Sequence, residues 1–234
     1  MQKIGLVGGM SWHSTLEYYR VLNARVAAAR GGHASAQVVL ESLDFAEVRE
    51  CQENGDWSRA GRMLTEAALR CQAAGADAVV ICTNLMHRVA DDVEAALDVP
   101  LLHIGDAIAA RAHAEGWSRV GVLGTSWVMT EDFYVGRLAR SGLRVEVPSQ
   151  SERTEIDRVI FEELTQGRVV ESSRRAYAAV IERLRDAGAE AVVLACTEIE
   201  MLVRPEDSPL PVLDSMRVHA EAAAAFAVGE PARV

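Results

Sequence analysis

The chain has 234 residues, half of them apolar, and carries a formal net charge of −10 at pH 7. This length and apolar content can fill one large or two small hydrophobic cores and exclude a disordered chain. The acidic balance, with no block of Lys or Arg, argues against nucleic acid and membrane partners. No apolar run approaches the ~18 residues of a membrane span, and the start of the chain, MQKIGLVGG, contains no signal segment, so we expect a cytoplasmic protein.

Cysteine and histidine spacing predicts neither disulfides nor a metal site. The four cysteines form no CxxC pair, and the six histidines lack HExxH or any paired i, i+4 spacing. A chain of this size with abundant Ala and Val also has no need of disulfide stapling. We therefore expect no metal.

In chain order, strands alternate with helices through both halves of the sequence, a pattern typical of parallel α/β folds. The predicted strands are 3–7, 37–40, 78–82 and 101–103 in the first half, and 120–123, 144–147, 191–195 and 212–213 in the second. Predicted helices begin near Ser14, Asp56, Asn84 and Asp106, then near Thr130, Thr154, Ser172, Thr197 and Met216.

The two halves repeat one another. AGADAVVICTN at 74–84 aligns without a gap on AGAEAVVLACT at 187–197, and KIGLVGGM and PLLH of the first half are echoed in order by RVGVLGTS and PVLD. Such echoes predict a duplicated α/β half-domain. We expect one domain at 1–104, completed by the helix at 214–234, and a second at 105–213.

The repeat sets Thr83 opposite Cys196 and places both where a strand ends. Parallel strands joined by right-handed crossovers carry their carboxyl ends on one edge, where ligands bind. The motifs GGMS, CTN, GTS and CTE all fall there. Two such edges facing each other predict an active-site cleft with Thr83 and Cys196 on opposite sides, a geometry suited to two-base proton chemistry.

IGLVGGMSW at 4–12, ICTNLMH at 81–87, VGVLGTSW at 120–127 and LACTEI at 194–199 together resemble the cofactor-independent aspartate/glutamate racemases. The resemblance covers essentially the whole chain. It implies an α/β fold of two pseudo-symmetric Rossmann-like domains with parallel sheets, closing over a small amino acid substrate. It also implies homodimers and catalysis without pyridoxal phosphate.

The resemblance implies catalytic roles for Cys196 and Thr83. Inversion needs an acid and a base on opposite faces of the substrate, and cysteine suits both roles. Because Cys196 precedes a predicted helix, we expect the helix N-terminus to favour its thiolate. Thr83 stands where the family pattern has cysteine, and its hydroxyl cannot form a comparable base. Neighbouring strand residues face opposite ways, so we expect Thr83 in the cleft and Cys82 in the core.

Other residues in these motifs are candidates for substrate binding. Side-chain donors and helix-start N–H groups can bind an α-carboxylate, and Glu198 can orient Cys196 or bind the amine; plain helix capping is the alternative for the donors. The candidates are Gly9, Met10, Ser11, Asn84, Leu85, Thr125, Ser126, Thr197 and Glu198. His87 lies one helical turn after Thr83 and either points toward the cleft or is a surface or capping histidine. The G-x-x-G-G spacing at 5–9 is not the dinucleotide fingerprint, so we expect no nicotinamide cofactor.

The sequence leaves the substrate and two other functions open. Acidic-substrate members of the family use an Arg and a Lys to hold the side-chain carboxylate, where this chain aligns Phe45 and Thr154. The basic residues near these positions are Arg49, Arg153 and Arg158. If none reaches the substrate, a neutral amino acid such as homoserine or methionine is favoured. A one-cysteine decarboxylase or isomerase and a noncatalytic amino-acid-binding protein are the alternatives.

Overall fold

The computed structural model describes residues 1–230 and contains two compact α/β units. The first consists of Met1–Ala107 and the described residues from Met216 onward, and the second of Ile108–Ser215. Each has its own parallel sheet. The predicted α/β fold with parallel sheets is therefore confirmed.

The first unit contains three strands in the order β2-β1-β3, all parallel. Its elements are β1 (Ile4–Gly8), α1 (Trp12–Arg30), β2 (Val38–Ser42), α2 (Phe45–Asn54), α3 (Trp57–Ala73), β3 (Ala78–Ile81), a 3-10 helix (Leu85–Val89) and α4 (Ala90–Ala96). The predicted strand at 101–103 is reduced to a single parallel bridge between Leu101 and Val79. Helix α2 is absent from our sequence prediction.

The second unit has four parallel strands in the order β5-β4-β6-β7. Its elements are α5 (Ile104–Ala114), within which the division between units falls, β4 (Arg119–Gly124), α6 (Ser126–Thr130), a π-helical turn (Asp132–Gly136), α7 (Arg137–Arg140), β5 (Arg144–Glu146), α8 (Gln150–Glu162), α9 (Glu171–Asp186), β6 (Ala191–Ala195) and β7 (Val212–Asp214). Short 3-10 helices lie at Leu164–Gln166, Thr197–Met201 and Pro205–Asp207. The last helix, α10 (Ser215–Val228), belongs to the first unit from Met216 onward.

The repeated sequence segments form strands in the same order in both units. In each unit the first strand of the repeat, β1 or β4, is central and pairs with the strand before the CTN or CTE motif. Apart from Arg119 at the start of β4, both central strands are apolar and buried, as expected for strands covered on both faces. The bridge at Leu101 occupies the sheet position that β7 fills in the second unit. The sequence echoes therefore correspond to equivalent places in two sheets.

Two hydrophobic layers cover the first sheet. Val7 and Ile81 pack with α2, α3 and α4, whereas Leu6, Val80 and Cys82 pack with α1 and α10. The alternation follows from strand geometry, in which successive side chains point to opposite faces. Cys82 is completely buried in the second layer, as predicted, so it is a core residue.

His219 on α10 is a buried polar residue in the layer formed by α1 and α10. Its Nδ1 is 2.8 Å from the Tyr18 hydroxyl and its Nε2 is 2.6 Å from the Leu102 carbonyl oxygen. Because a carbonyl only accepts, Nε2 carries the proton and Nδ1 accepts from Tyr18. Burial lowers the pKa of His219 from 6.5 to about 4. The folded protein therefore holds this imidazole neutral.

We expect this histidine to make the protein sensitive to acid. Its folded-state pKa lies below the unfolded value, so its contribution is complete above pH 6.5 and is lost as the pH falls toward 4. The shift corresponds to about 3 kcal/mol of unfolding free energy at the acidic limit. Urea unfolding of the wild type and His219→Gln between pH 7.5 and pH 4 measures it. If both proteins lose the same unfolding free energy between pH 7.5 and pH 4, His219 does not cause the acid sensitivity.

Candidate functional site

The residues singled out from the sequence follow the carboxyl ends of four strands, two in each unit. Each pair of strands is adjacent in its sheet, so the structure brings the residues together in two groups. The first group follows β1 and β3 and contains Gly9, Met10, Ser11, Thr83, Asn84 and Leu85. The second follows β4 and β6 and contains Thr125, Ser126, Cys196, Thr197 and Glu198.

Cys196 is the half-buried cysteine of the chain; Cys51, Cys71 and Cys82 are buried. It directly follows β6 and precedes the 3-10 helix Thr197–Met201. Its thiol donates a hydrogen bond to Oε2 of Glu198 over 3.1 Å, and the Thr197 hydroxyl donates to the same oxygen over 2.9 Å. One carboxylate oxygen thus binds both side chains that precede it.

The thiol form of Cys196 is favoured, contrary to our expectation from the sequence. Burial of the thiol raises its pKa well above the usual value, and the negative charge and hydrogen bond of Glu198 raise it further. The backbone N–H groups of Glu198 and Ile199 do lower this pKa, as a helix start should, but their effect is smaller. The resting form of Cys196 is therefore the thiol.

Thr83 lies one residue beyond the core residue Cys82 and is half-buried. Its N–H donates to the Ile81 carbonyl oxygen over 2.9 Å, so the chain turns sharply where β3 ends. Its own carbonyl oxygen is 2.7 Å from Nδ1 of His87. The next two residues, buried Asn84 and half-buried Leu85, lead into the 3-10 helix, and the Asn84 side chain does not cap it. The Asn84 side chain therefore does not serve as the cap of this 3-10 helix.

Gly9 brings the chain after β1 close to the loop after β2. It has φ +88°, and a Cβ there would lie 2.1 Å from the Leu43 carbonyl oxygen, so only glycine fits. Its N–H donates to the Thr15 hydroxyl over 2.9 Å. Met10 is 5% exposed and packs in the core, whereas Ser11 is half-buried. Among Gly9, Met10 and Ser11, the serine is therefore the most accessible.

Thr125 and Ser126 differ in what they offer a ligand. The Thr125 hydroxyl is buried, does not cap α6 and has no hydrogen-bond partner among residues 1–230. Ser126 is already engaged, because its N–H and its hydroxyl donate to the two carboxylate oxygens of Asp157 on α8, over 2.9 and 2.5 Å. Asp157 thus occupies the Ser126 donors that we assigned to a substrate carboxylate. No local signal links residues 31 positions apart, so Asp157 was missed.

The basic residues near the aligned clamp positions are engaged to different degrees. Arg158 is paired with Glu155 and buried Glu163, and Arg153 donates to the Pro148 carbonyl oxygen over 2.6 Å. Arg49 on α2 contacts Gln52 and, over 2.7 Å, the exposed carboxylate of Glu53. Phe45 and Thr154 are both exposed. Arg49 therefore has the most readily exchanged partner.

His87 is not a surface residue, and its Nε2 caps α5 by accepting the N–H of Ile104, the first residue of that helix. It is 2% exposed and lies in van der Waals range of two other buried imidazoles, with ring centroids 4.4 Å from His103 and 5.6 Å from His219. The three come from distant parts of the chain, so their spacing in sequence gave no sign of the cluster. No group of three or more His, Cys, Asp or Glu side chains within residues 1–230 is arranged to hold a metal ion. In the same part of the chain, every helix is too short or too polar to cross a bilayer.

Comparison with known proteins identifies the family. The Asp/Glu/Hydantoin racemase profile matches residues 7–223. A candidate Asp/Glu racemase from Yersinia pestis is 45% identical, with 97% of this chain and 100% of that chain covered and a TM-score of 0.94. An aspartate racemase homologue from Pyrococcus horikoshii is 31% identical over 97% and 100% of the two chains, with a TM-score of 0.83. An aspartate racemase from Picrophilus torridus, 19% identical over 99% and 96%, has the same fold with a TM-score of 0.75. The chain therefore belongs to the Asp/Glu/Hydantoin racemase family.

Proposed function

We propose that the protein is an amino acid racemase that works without pyridoxal phosphate, with Cys196 as the main acid/base and Thr83 on the other face of the substrate. The observation that carries the proposal is the Cys196 thiol bound to the Glu198 carboxylate at the end of β6. Thr83 follows the equivalent strand β3 of the repeat. Family membership supports racemisation as the reaction.

Glu198 supplies a route for the thiol proton. When the Cys196 proton moves along the existing hydrogen bond to Oε2, a thiolate forms beside a neutral carboxylic acid and the total charge is unchanged. The thiolate then removes the α-hydrogen from one face of the substrate and becomes a thiol again, while the Thr83 hydroxyl protonates the opposite face. Thr83 regains a proton from water, and Glu198 releases the proton it had taken to the hydroxide that remains, so the starting state is restored. In the reverse direction Cys196 is the acid. Its raised pKa suits that role, because the proton is in place before the reaction begins.

The side chains without local capping roles fit the α-carboxylate of the substrate. The buried Thr125 hydroxyl has no partner within the described chain, which is a costly state for a polar group unless a ligand supplies one. Asn84 lies beside Thr83 and does not cap the following helix. We assign the Thr125 hydroxyl to substrate binding before Ser126, whose donors Asp157 already holds, and keep Asn84 as a candidate because of its place beside Thr83.

We propose aspartate, glutamate or a related amino acid as the substrate. The names of the 45% and 31% identical proteins support acidic substrates. Arg49 is the candidate for binding the side-chain carboxylate of the substrate. Its ion pair with exposed Glu53 contributes little free energy, so a ligand carboxylate can replace Glu53. Arg158 is a poor candidate, since withdrawing it would leave the buried Glu163 carboxylate without its cation.

Proton NMR in D2O tests the function directly. The protein is incubated with separate L- and D-enantiomers of aspartate, glutamate, homoserine and methionine, without added cofactor. We expect loss of the α-proton signal and formation of the opposite enantiomer for at least one acidic amino acid. No exchange with any of the four would overturn the proposal.

A one-thiol decarboxylase or isomerase is the second candidate. It is favoured by the same protonated thiol, because a neutral Cys196 could protonate a carbanion left after loss of carbon dioxide, with no second base needed. Steady release of carbon dioxide from a substituted malonate, with no α-proton exchange in the amino acid panel, would support it.

We expect Glu198→Gln to reduce turnover and yet make Cys196 easier to ionise. The substitution removes the proton acceptor, so kcat should fall on the order of 100-fold. It also removes the negative charge that raises the thiol pKa, so alkylation of Cys196 by iodoacetamide should begin at lower pH than in the wild type. Mass spectrometry of the alkylated peptide across pH 6 to 10 measures this shift. An unchanged alkylation profile would contradict the assigned charge effect.

The homodimer implied by the resemblance also remains a proposal. Helix α1 exposes Trp12, Leu16 and Tyr19, which lie on one helical face and are each at least half exposed. An apolar stripe of this kind is typical of protein contact surfaces, and a second copy of the chain is the partner we propose. Light scattering gives the solution mass, and a monomer at micromolar concentration would contradict the dimer.

A further inference from the structure

His87 connects two loops of the first unit through both of its ring nitrogens. Nδ1 is 2.7 Å from the Thr83 carbonyl oxygen, and Nε2 accepts the N–H of Ile104 over 3.2 Å. Since Ile104 donates to Nε2, that nitrogen carries no proton, and the single N–H of a neutral imidazole lies on Nδ1 and donates to Thr83. The two backbone groups thus fix one tautomer and one ring orientation.

The surroundings leave the ring little freedom. His87 packs against His103 and His219, and His219 is itself held by Tyr18 and by the Leu102 carbonyl oxygen. His103 accepts the Gly105 N–H at Nδ1 over 3.0 Å. The cluster of His87, His103 and His219 therefore ties the turn after β3 to the start of α5 and to α10.

We propose that His87 is a positioning residue that fixes the direction of the Thr83 hydroxyl by holding the Thr83 carbonyl. The carbonyl orientation sets the backbone dihedral angle of Thr83 and hence the path of its Cα–Cβ bond. Thr83 stands at a sharp turn beyond the last residue of β3, where no strand partner holds its own carbonyl. This inference rests on the proposed function, in which Thr83 protonates one face of the substrate.

His87→Asn and His87→Leu form a matched pair for the test. Both remove the bond to Ile104 and leave a side chain of the same branched shape, but Asn keeps an N–H donor near the position of Nδ1 and Leu does not. Each is incubated in D2O with the enantiomer whose α-hydrogen faces Cys196. Exchange with retention uses Cys196 alone, whereas inversion also needs Thr83.

The readout is the ratio of inversion to exchange with retention. We expect this ratio to fall about tenfold or more in His87→Leu, because small misplacements of a reacting group are costly, and to stay within about threefold of wild type in His87→Asn. A merely structural role would lower both reactions together and leave the ratio unchanged. His113→Leu is the control, since His113 makes a similar 2.9 Å contact with the Ser141 carbonyl oxygen in the second unit.

The outcomes separate this inference from the proposed function. Absence of exchange in the wild type refutes the function, whereas normal wild-type exchange with an unchanged ratio in His87→Leu refutes only the role of His87. An equal fall in both variants also refutes it. If His87→Leu does not fold, His87→Gln replaces it, because Gln can still accept from Ile104 but reaches past the Thr83 carbonyl.

Discussion

Cys196→Ala should abolish α-proton exchange for both enantiomers. Whichever face is attacked first, inversion passes through Cys196 once as base or once as acid. Loss of a positioned acid/base group lowers rates by about 100- to 10,000-fold, so the residual rate should approach background. Proton NMR in D2O with the substrate found in the amino acid panel measures it.

The control for Cys196 is a second cysteine substitution. Cys71 is completely buried in the core and its pKa is raised by burial to about 11, so it has no place in proton transfer. Cys71→Ala should retain exchange even though it creates a small cavity and lowers the melting temperature. Cys196→Ala should fold normally by circular dichroism. Full exchange in a folded Cys196→Ala protein would refute the assignment.

Thr83 should make the enzyme respond unequally to the two enantiomers. A hydroxyl can donate a proton but is a much weaker base than a thiolate near neutral pH. The enantiomer whose α-hydrogen faces Cys196 should therefore exchange first, by a factor on the order of 10 to 1,000. Thr83→Cys supplies a second thiol and should therefore reduce the difference between the exchange rates of the two enantiomers.

Two further substitutions separate the hydroxyl from the shape of the side chain. Thr83→Ser keeps the hydroxyl and should keep inversion, whereas Thr83→Val keeps the branched shape and should lose inversion while retaining exchange at the Cys196 face. Initial rates for each pure enantiomer in D2O provide the comparison. Equal initial exchange of both enantiomers in the wild type would contradict the unequal roles.

The repeat made the sheets predictable. Most strands lie within one or two residues of their predicted positions because parallel strands are continuous apolar runs bounded by glycine or polar residues. Helix α2 was missed because its sequence, FAEVRECQEN, is mostly polar and buries only Val48, Cys51 and Gln52. The strand expected at 101–103 keeps one bridge, since Leu102 bonds to Val79 but the chain then enters α5 at Ile104.

The site was predictable in its residues but not in its electrostatics. The end of β6 follows from the pattern AVVLA before Cys196, but the burial of the thiol and the rotamer that brings Glu198 onto it do not. Burial first, and Glu198 second, reverse the expected effect on the thiol pKa. Likewise, Ser126 is easily found at a helix start, but its partner Asp157 comes from another helix. Pairing between distant side chains depends on tertiary packing, which periodicity does not encode.

The place of α10 has a consequence for synthesis of the protein. Its residues Ala220, Ala223, Ala224 and Ala227 complete the layer that covers Leu6 and Val80. The ribosome makes β3 more than 130 residues before α10 ends, a delay on the order of ten seconds. Until then only α1 covers this apolar face of the first sheet, whereas the second unit already has all its strands. The nascent first unit is therefore the part that a chaperone would bind.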